Sequence, residues 1–125
     1  MLQTTTDVVV KGALDGLAAR QRAYVNNVAN VDTPGFKPSD VPFEAQLRKV
    51  RDEMAGQPQD VEHAPSLDLS TVIDPQGANR ADGNDVQIDT QVTRLEENSM
   101  TYEALAQAVH NRNNILLSAI TEGRK

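Results

Sequence analysis

Apolar residues recur along two stretches of this 125-residue chain at alternating spacings of four and three. In the first, Val10, Leu14, Leu17, Gln21, Tyr24, Val28 and Val31 share one stripe, and every member but Gln21 is apolar or aromatic. In the second, the stripe runs Ile88, Val92, Leu95, Ser99, Tyr102, Ala106, Val109, Asn113, Leu116 and Ile120. A repeat of 3.5 residues is the seam of a coiled coil. The spacing predicts helices of about 24 and about 33 residues, roughly 36 and 50 Å long. Thr6 or Asp7 is expected to cap the first, which begins near Val8, and Asn84 or Asp85 the second, with Asp89 near its positive end. Polar seam positions such as Gln21, Ser99 and Asn113 cost stability and fix register and partner choice. Gly12 and Gly16 each cost the first helix about 1 kcal/mol relative to Ala. Either they weaken it or they admit a close neighbour. Met100, Leu105, Ile115 and Leu117 lie off the second seam and widen its apolar face. One hairpin does not cover that face, which calls for further helix partners.

Between the stripes the pattern changes. Asn30 and Asp32 favour turns, Pro34 has no N–H to continue a helix, and Gly35 after Pro34 is the pairing of a type II turn with positive φ at the glycine. Pro38-Ser39-Asp40-Val41-Pro42 reads as an extended connector. Phe43 to Arg51 is short and amphipathic, with Phe43, Leu47 and Val50 on one side. Residues 55–84 are rich in Gly, Pro, Asp and Gln and read as loop, with a short strand possible within Leu67 to Ile73. The fold expected is mainly α. Two long terminal helices form a coiled-coil-like pair, joined by an irregular, loop-rich middle with a possible short strand. The natural divisions are residues 1–37, 38–84 and 85–125, the two helical ends together making one assembly domain.

The turn region carries a resemblance. Asn27, Val28, Ala29, Asn30, Thr33, Gly35, Phe36 and Lys37 fill the positions of the N-terminal signature of the bacterial flagellar rod and hook proteins. The C-terminal half adds a second. Gly83-Asn84-Asp85-Val86-Gln87-Ile88-Asp89, then Asn98, Tyr102 and Leu105, are similar to the proximal rod members of that family. Sibling rod and hook subunits instead carry an Arg-Ala-Tyr sequence on the last helix, from which Met100 to Leu105 departs. The two matches span about the first 50 and the last 45 residues.

Composition narrows the chemistry. Aromatic residues make up only 3% of the chain and Trp is absent, so a self-contained core would be poorly supplied. The net charge is −6, with Lys and Arg scattered rather than gathered on a basic face, which argues against nucleic acid as a partner. No apolar run approaches the ~20 residues of a membrane helix. There is no Cys, hence no disulfide framework. The first residues lack the basic-then-apolar order of a cleaved secretory signal. His63 and His110, the two histidines, stand at no metal-binding spacing. Asp82-Gly83-Asn84-Asp85 resembles a piece of a calcium loop without its later Glu. No nucleophile elbow or phosphate loop is present. An enzyme, a cofactor and a small-molecule substrate are therefore not expected.

The resemblance implies a structural subunit of the flagellar basal-body rod. Such subunits build a helical tube that carries torque from motor to hook and encloses the export channel. It implies partners among other rod proteins, copies of this chain, and the membrane-ring and export-gate proteins at the rod base. It also implies a place in the periplasmic rod, reached through the flagellar type III apparatus without a cleaved signal. Rod and hook subunits carry an export-gate element, a Phe followed four residues later by an aliphatic, which Phe43 and Leu47 match. A short helix packing its apolar side explains the same two residues. The alternatives to a proximal rod subunit are an intracellular coiled-coil adaptor and a sibling axial subunit. Finally, Leu116, Leu117 and Ile120 are expected to overhang the shorter first helix by about nine residues, roughly 13 Å.

Overall fold

Thr4 accepts a hydrogen bond from the Asp7 backbone, and the Asp7 carboxylate accepts one back from the Thr4 N–H. This reciprocal capping box satisfies two of the orphan donors at a helix start. It sets the beginning of α1 (Thr5–Ala29) earlier than Thr6 or Asp7 acting alone would. The computed structural model describes residues 4–56, 63–74 and 80–123. Among these, α1 is followed by β1 (Ser39–Asp40), α2 (Glu44–Gly56), β2 (Val72–Ile73) and α3 (Ile88–Glu122). The fold is mainly helical, as the pattern predicts, with two long terminal helices packed on each other and a loop-rich middle.

Asn27 near the end of α1 meets Gln91 near the start of α3, and Asp7 at the start of α1 meets Arg112 far along α3. The two helices are therefore antiparallel. β1 and β2 pair antiparallel, Ser39 with Ile73 and Asp40 with Val72, so the strand foreseen within 67–73 shrinks to its last two residues. The amphipathic segment after Phe43 is a helix and runs on to Gly56, burying Val50 and Met54.

The core is small and lies where α1 meets the middle segment. Leu17, Ala19, Ala23, Val41 and Phe43 are buried together, with Leu47, Leu69 and Leu105 packed against them. Gly16 settles the choice left open by the sequence. A Cβ there would sit 2.4 Å from the Phe43 ring, so the glycine admits a close neighbour, an aromatic ring rather than a helix. The Arg20 guanidinium lies 4.6 Å from the centre of the same ring. It also forks onto both Glu44 oxygens at 2.6 and 2.7 Å and bonds Asp40 and the Val41 carbonyl. Tyr24 is buried beside this cluster, and burial, helped by the Asp40 carboxylate, pushes its phenol up to about 12.

The face that α3 turns to α1 differs from its apolar stripe. Ile88 and Val92 are about 40% and 39% exposed, while the amides Gln91 and Asn98 are buried at 2% and 5%. Asn98 donates to the Leu17 carbonyl and to Gln21 Oε1, and Gln21 donates to Ser99. Hydrogen bonding to α1 has set the rotation of α3, which apolar periodicity alone could not reveal. The first stripe fares differently. Leu17 and Tyr24 are buried, Val10, Leu14, Gln21 and Val28 half-buried, and Val31 lies past the helix end. On α3, Leu95, Ser99, Ala106 and Val109 are half-buried, whereas Tyr102, Asn113, Leu116 and Ile120 are exposed. The cap foreseen at Asn84 or Asp85 falls instead at Gln87, which makes no side-chain cap bond.

Candidate functional site: the signature turn and its clasp

Asn30 ends α1 for local reasons. Its N–H reaches the carbonyls of the last helical turn, and its Nδ2 folds back onto the Asn26 carbonyl at 2.8 Å. Its carbonyl then accepts the Thr33 N–H and its Oδ1 the Thr33 hydroxyl, at 3.0 and 3.1 Å. Thr33 to Phe36 closes a type II turn around Pro34 and Gly35. The Phe36 N–H meets the Thr33 carbonyl at 3.3 Å and Gly35 has φ +74°. Nothing lies within 4 Å of a Cβ added at Gly35, so backbone conformation rather than crowding requires glycine there.

What holds this turn comes from the far side of the chain. Asn84, fully buried, aims its Nδ2 at three carbonyl oxygens, those of Asn30, Val31 and Thr33, at 2.9, 3.0 and 2.6 Å. Its Oδ1 accepts the Val86 N–H at 2.8 Å, so the whole carboxamide is engaged. Two backbone bonds flank it, Gly35 N–H to the Asp82 carbonyl at 3.0 Å and Asp85 N–H to the Phe36 carbonyl at 3.1 Å. Lys37 pairs with Asp85, and Arg80 donates to the Val31 carbonyl. Gly83 also has positive φ and stacks on Gly35, where an added Cβ would come within 3.4 Å of the Gly35 Cα.

A second tie lies one helical turn back. Asn27, fully buried, exchanges bonds with the Ser39 backbone, donating to its carbonyl at 2.8 Å and accepting its N–H at 2.9 Å. The same Nδ2 also donates to Gln91 on α3 at 2.9 Å. Asn27 thus joins α1, β1 and α3. Arg94 on α3 pairs with Asp74 just beyond β2, and the Asp74 N–H bonds the Pro38 carbonyl.

The structure therefore brings Asn27, Asn30, Thr33, Gly35, Phe36 and Lys37 to one place. Val28 is half-buried beside them and Ala29 is exposed. Phe43 and Leu47 lie apart, in and against the core. Asn84, Gly83, Asp85 and Gln91 complete the site without having been singled out for it. The available signal was the second resemblance, which contains Gly83, Asn84 and Asp85. The arrangement aims backbone dipoles and amides at one another and offers no reacting group. Among the described residues no cluster of His, Cys, Asp or Glu could hold a metal ion, and no helix is long and apolar enough to cross a membrane.

Comparison with known proteins reaches the first half of the clasp by a family model and most of the chain by individual relatives. The family model for flagella basal body rod proteins matches residues 10–37, which are most of α1 and its turn. The chain is similar to the flagellar basal body rod protein FlgB of Borrelia hermsii, 35% identical over 108 residues that cover 71% of this chain and 76% of that protein. The same named protein of Yersinia ruckeri is 30% identical, covering 89% and 90%. That of Bacillus subtilis is 28% identical over 92% of both.

Proposed function

Since this chain belongs to the FlgB family of flagellar basal body rod proteins, we propose that it is a structural subunit of the proximal rod. In that role it assembles with other rod components into a helical tube that carries torque from motor to hook and encloses the export channel. The observation that carries this reading is the clasp. The family-matched end of α1 and the Gly83-Asn84-Asp85-Val86 stretch, remote in sequence, close on each other through main-chain bonds. Such a clasp fixes the angle at which the middle segment leaves the helix pair, as a tube element under torque needs. The role is mechanical, and its partners are other rod subunits, copies of this chain, and the membrane-ring and export-gate proteins at the rod base.

The experiment is deletion with complementation by a tagged chain. Loss of hooks and filaments, restored by a chain that then purifies with basal bodies, is the expected result. A deletion strain that keeps working flagella would overturn the reading.

Phe43 and Leu47 serve export in this proposal. Phe43 is 3% exposed in the folded chain, so a gate meets it before folding. Phe43→Ala should lower secretion several-fold. Leu17→Ala, which loosens the same core outside the element, should leave secretion unchanged. Equal loss in both would make Phe43 a packing residue only.

A further inference from the structure

The chain from Leu67 to Ile73 spends its main-chain hydrogen bonds on one side only. The Gln46 carboxamide on α2 takes both main-chain groups of Asp68, accepting its N–H at 2.7 Å and donating to its carbonyl at 2.9 Å. The Ser70 N–H bonds the Asp68 carboxylate at 2.9 Å. Val72 lies opposite Asp40, and the Asp74 N–H reaches the Pro38 carbonyl at 2.8 Å. Residues two apart in an extended strand present their main chain to the same edge. Asp68, Val72 and Asp74 therefore face α2 and β1, and Leu67, Leu69, Thr71 and Ile73 face the other way. Among the described residues no hydrogen bond reaches the main chain of those four. Leu67 lies on Gly12 and Leu69 against the core, which anchors the segment. Thr71, Val72 and Ile73 are exposed, the last two at 47% and 68%. Natural strand edges are blunted by Lys, Pro or a bulge. None of residues 67–73 is Lys, Arg, Pro or Gly. About 23 Å of strand edge thus stands open.

The rest of the fold narrows what can add to this edge. The opposite edge of the sheet is shut, because Asn27 takes the Ser39 N–H and carbonyl that face away from β2. Among the described residues, a second copy therefore offers no free strand edge except the same one. Two copies of one edge meet about a twofold axis, and a tube with a motor at one end and a hook at the other has no such axis across it. Residues 63–74 contain no Lys or Arg, while Asp68 is exposed. Opposite charges facing each other across paired strands stabilise them, and like charges do the reverse. We propose that this edge takes an extended segment of a different polypeptide of the flagellar basal body by strand addition. That segment carries β-branched residues beside Val72 and Ile73 and a Lys or Arg opposite Asp68. The inference rests on the rod reading, which supplies the polarity, and gives the middle segment a partner of its own, apart from those of the helix pair.

Three measurements test it. In the purified chain, hydrogen exchange should be fast at the amides of Thr71 and Ile73 and slow at those of Asp68 and Asp74. Slow exchange at all four would mean that the chain closes its own edge, and would overturn the proposal. Thr71→Pro removes an outward N–H and none of the inward bonds. It should leave the unfolding midpoint of the purified chain unchanged. Its recovery in basal bodies should fall about tenfold, the worth of one hydrogen bond. Thr71→Val keeps the N–H and should change neither. Normal incorporation of the proline chain, or equal loss in the valine chain, would overturn the proposal. Should the proline chain unfold earlier, crosslinking decides. Benzoylphenylalanine at Thr71 or Ile73, in cells that depend on this chain, should give a discrete adduct with another polypeptide that is absent when it stands at Gln107, exposed on α3. Equal yields at the three positions would overturn the proposal, and so would an adduct of the chain with itself, which would make a second copy the occupant. If the unmodified chain is absent from basal bodies while its odd-numbered amides still exchange fast, the rod reading falls and takes the partner with it.

Discussion

At the scale of single residues, Asn84 holds the clasp together. Its amide carries two protons and faces three carbonyl oxygens, which only a donor can stabilise. Asn84→Leu removes the donor and leaves those carbonyls to lose or regain water, a destabilisation of at least about 2 kcal/mol. Asn84→Asp puts an acceptor against acceptors and should be worse at neutral pH. It should recover in part in acid, where a protonated carboxyl donates once. Denaturant midpoints of the three chains at neutral and acid pH check this, and an Asp variant as stable as the parent at pH 7 would refute the donor role. The turn itself was legible in the sequence because Pro34 and Gly35 act on their own backbone. Its clasp was not, because the atoms Asn84 recognises are main-chain oxygens some fifty residues away, and carbonyls leave no mark in a sequence. Asn84 was expected to serve as a helix cap, a use of the same side chain that ignores this competition.

At the scale of elements, periodicity located both long helices but not the facing of α3. It scores apolar positions, whereas the buried faces of α3 at Gln91 and Asn98 are amides bonded to α1. The Oδ1 of Asn98 is buried without a hydrogen-bond partner, so this polar seam carries a penalty that an aliphatic seam would not. Such a seam specifies register at the expense of stability, which leaves Ile88 and Val92 outside the pair. The meeting of α1 with the segment before α2 depends on a different residue type. Gly16 gives up about 1 kcal/mol of helix propensity to seat the Phe43 ring. Gly16→Ala regains that propensity but drives a methyl to within 2.4–2.7 Å of ring carbons pinned between α1 and the Arg20 fork. Overpacking of this kind costs about 1–3 kcal/mol. The net effect should be destabilising, read as a lower denaturant midpoint. A more stable Gly16→Ala chain would mean that Phe43 has room to move.

At the scale of the whole molecule, cross-element ion pairs take over where the core is thin. Asp7 ties the start of α1 to Arg112, Glu44 and Asp40 tie α2 and β1 to Arg20, Asp74 ties the middle segment to Arg94, and Asp85 ties the clasp to Lys37. Every one of these ties uses a carboxylate, so acid should loosen the molecule as a unit. The hydrogen bonds from the Thr4 backbone and hydroxyl hold the Asp7 carboxyl below its ordinary 3.8, with Arg112 assisting. Burial pushes Glu44 up, and the Arg20 fork more than reverses it, leaving Glu44 below its ordinary 4.5. A carboxyl depressed in the folded state contributes stability that is present above its unfolded value. That contribution is lost as pH falls toward the folded value. Both groups therefore place the loss below about pH 4.5, and neither contributes a change between pH 7 and 5. As the 18 Asp and Glu protonate, the 12 Lys and Arg and two His remain charged, and their mutual repulsion adds to the same trend. Thermal unfolding followed by helical circular dichroism should give a level midpoint from pH 7 to 5 and a steep fall from 4.5 to 3. Replacing Arg112 with Gln should flatten part of that fall, since Asp7 then loses one of the charges that depress it. A midpoint unchanged down to pH 3 would show that these pairs are too well screened to hold the helices together. The monomer would then owe its stability to the small cluster around Phe43.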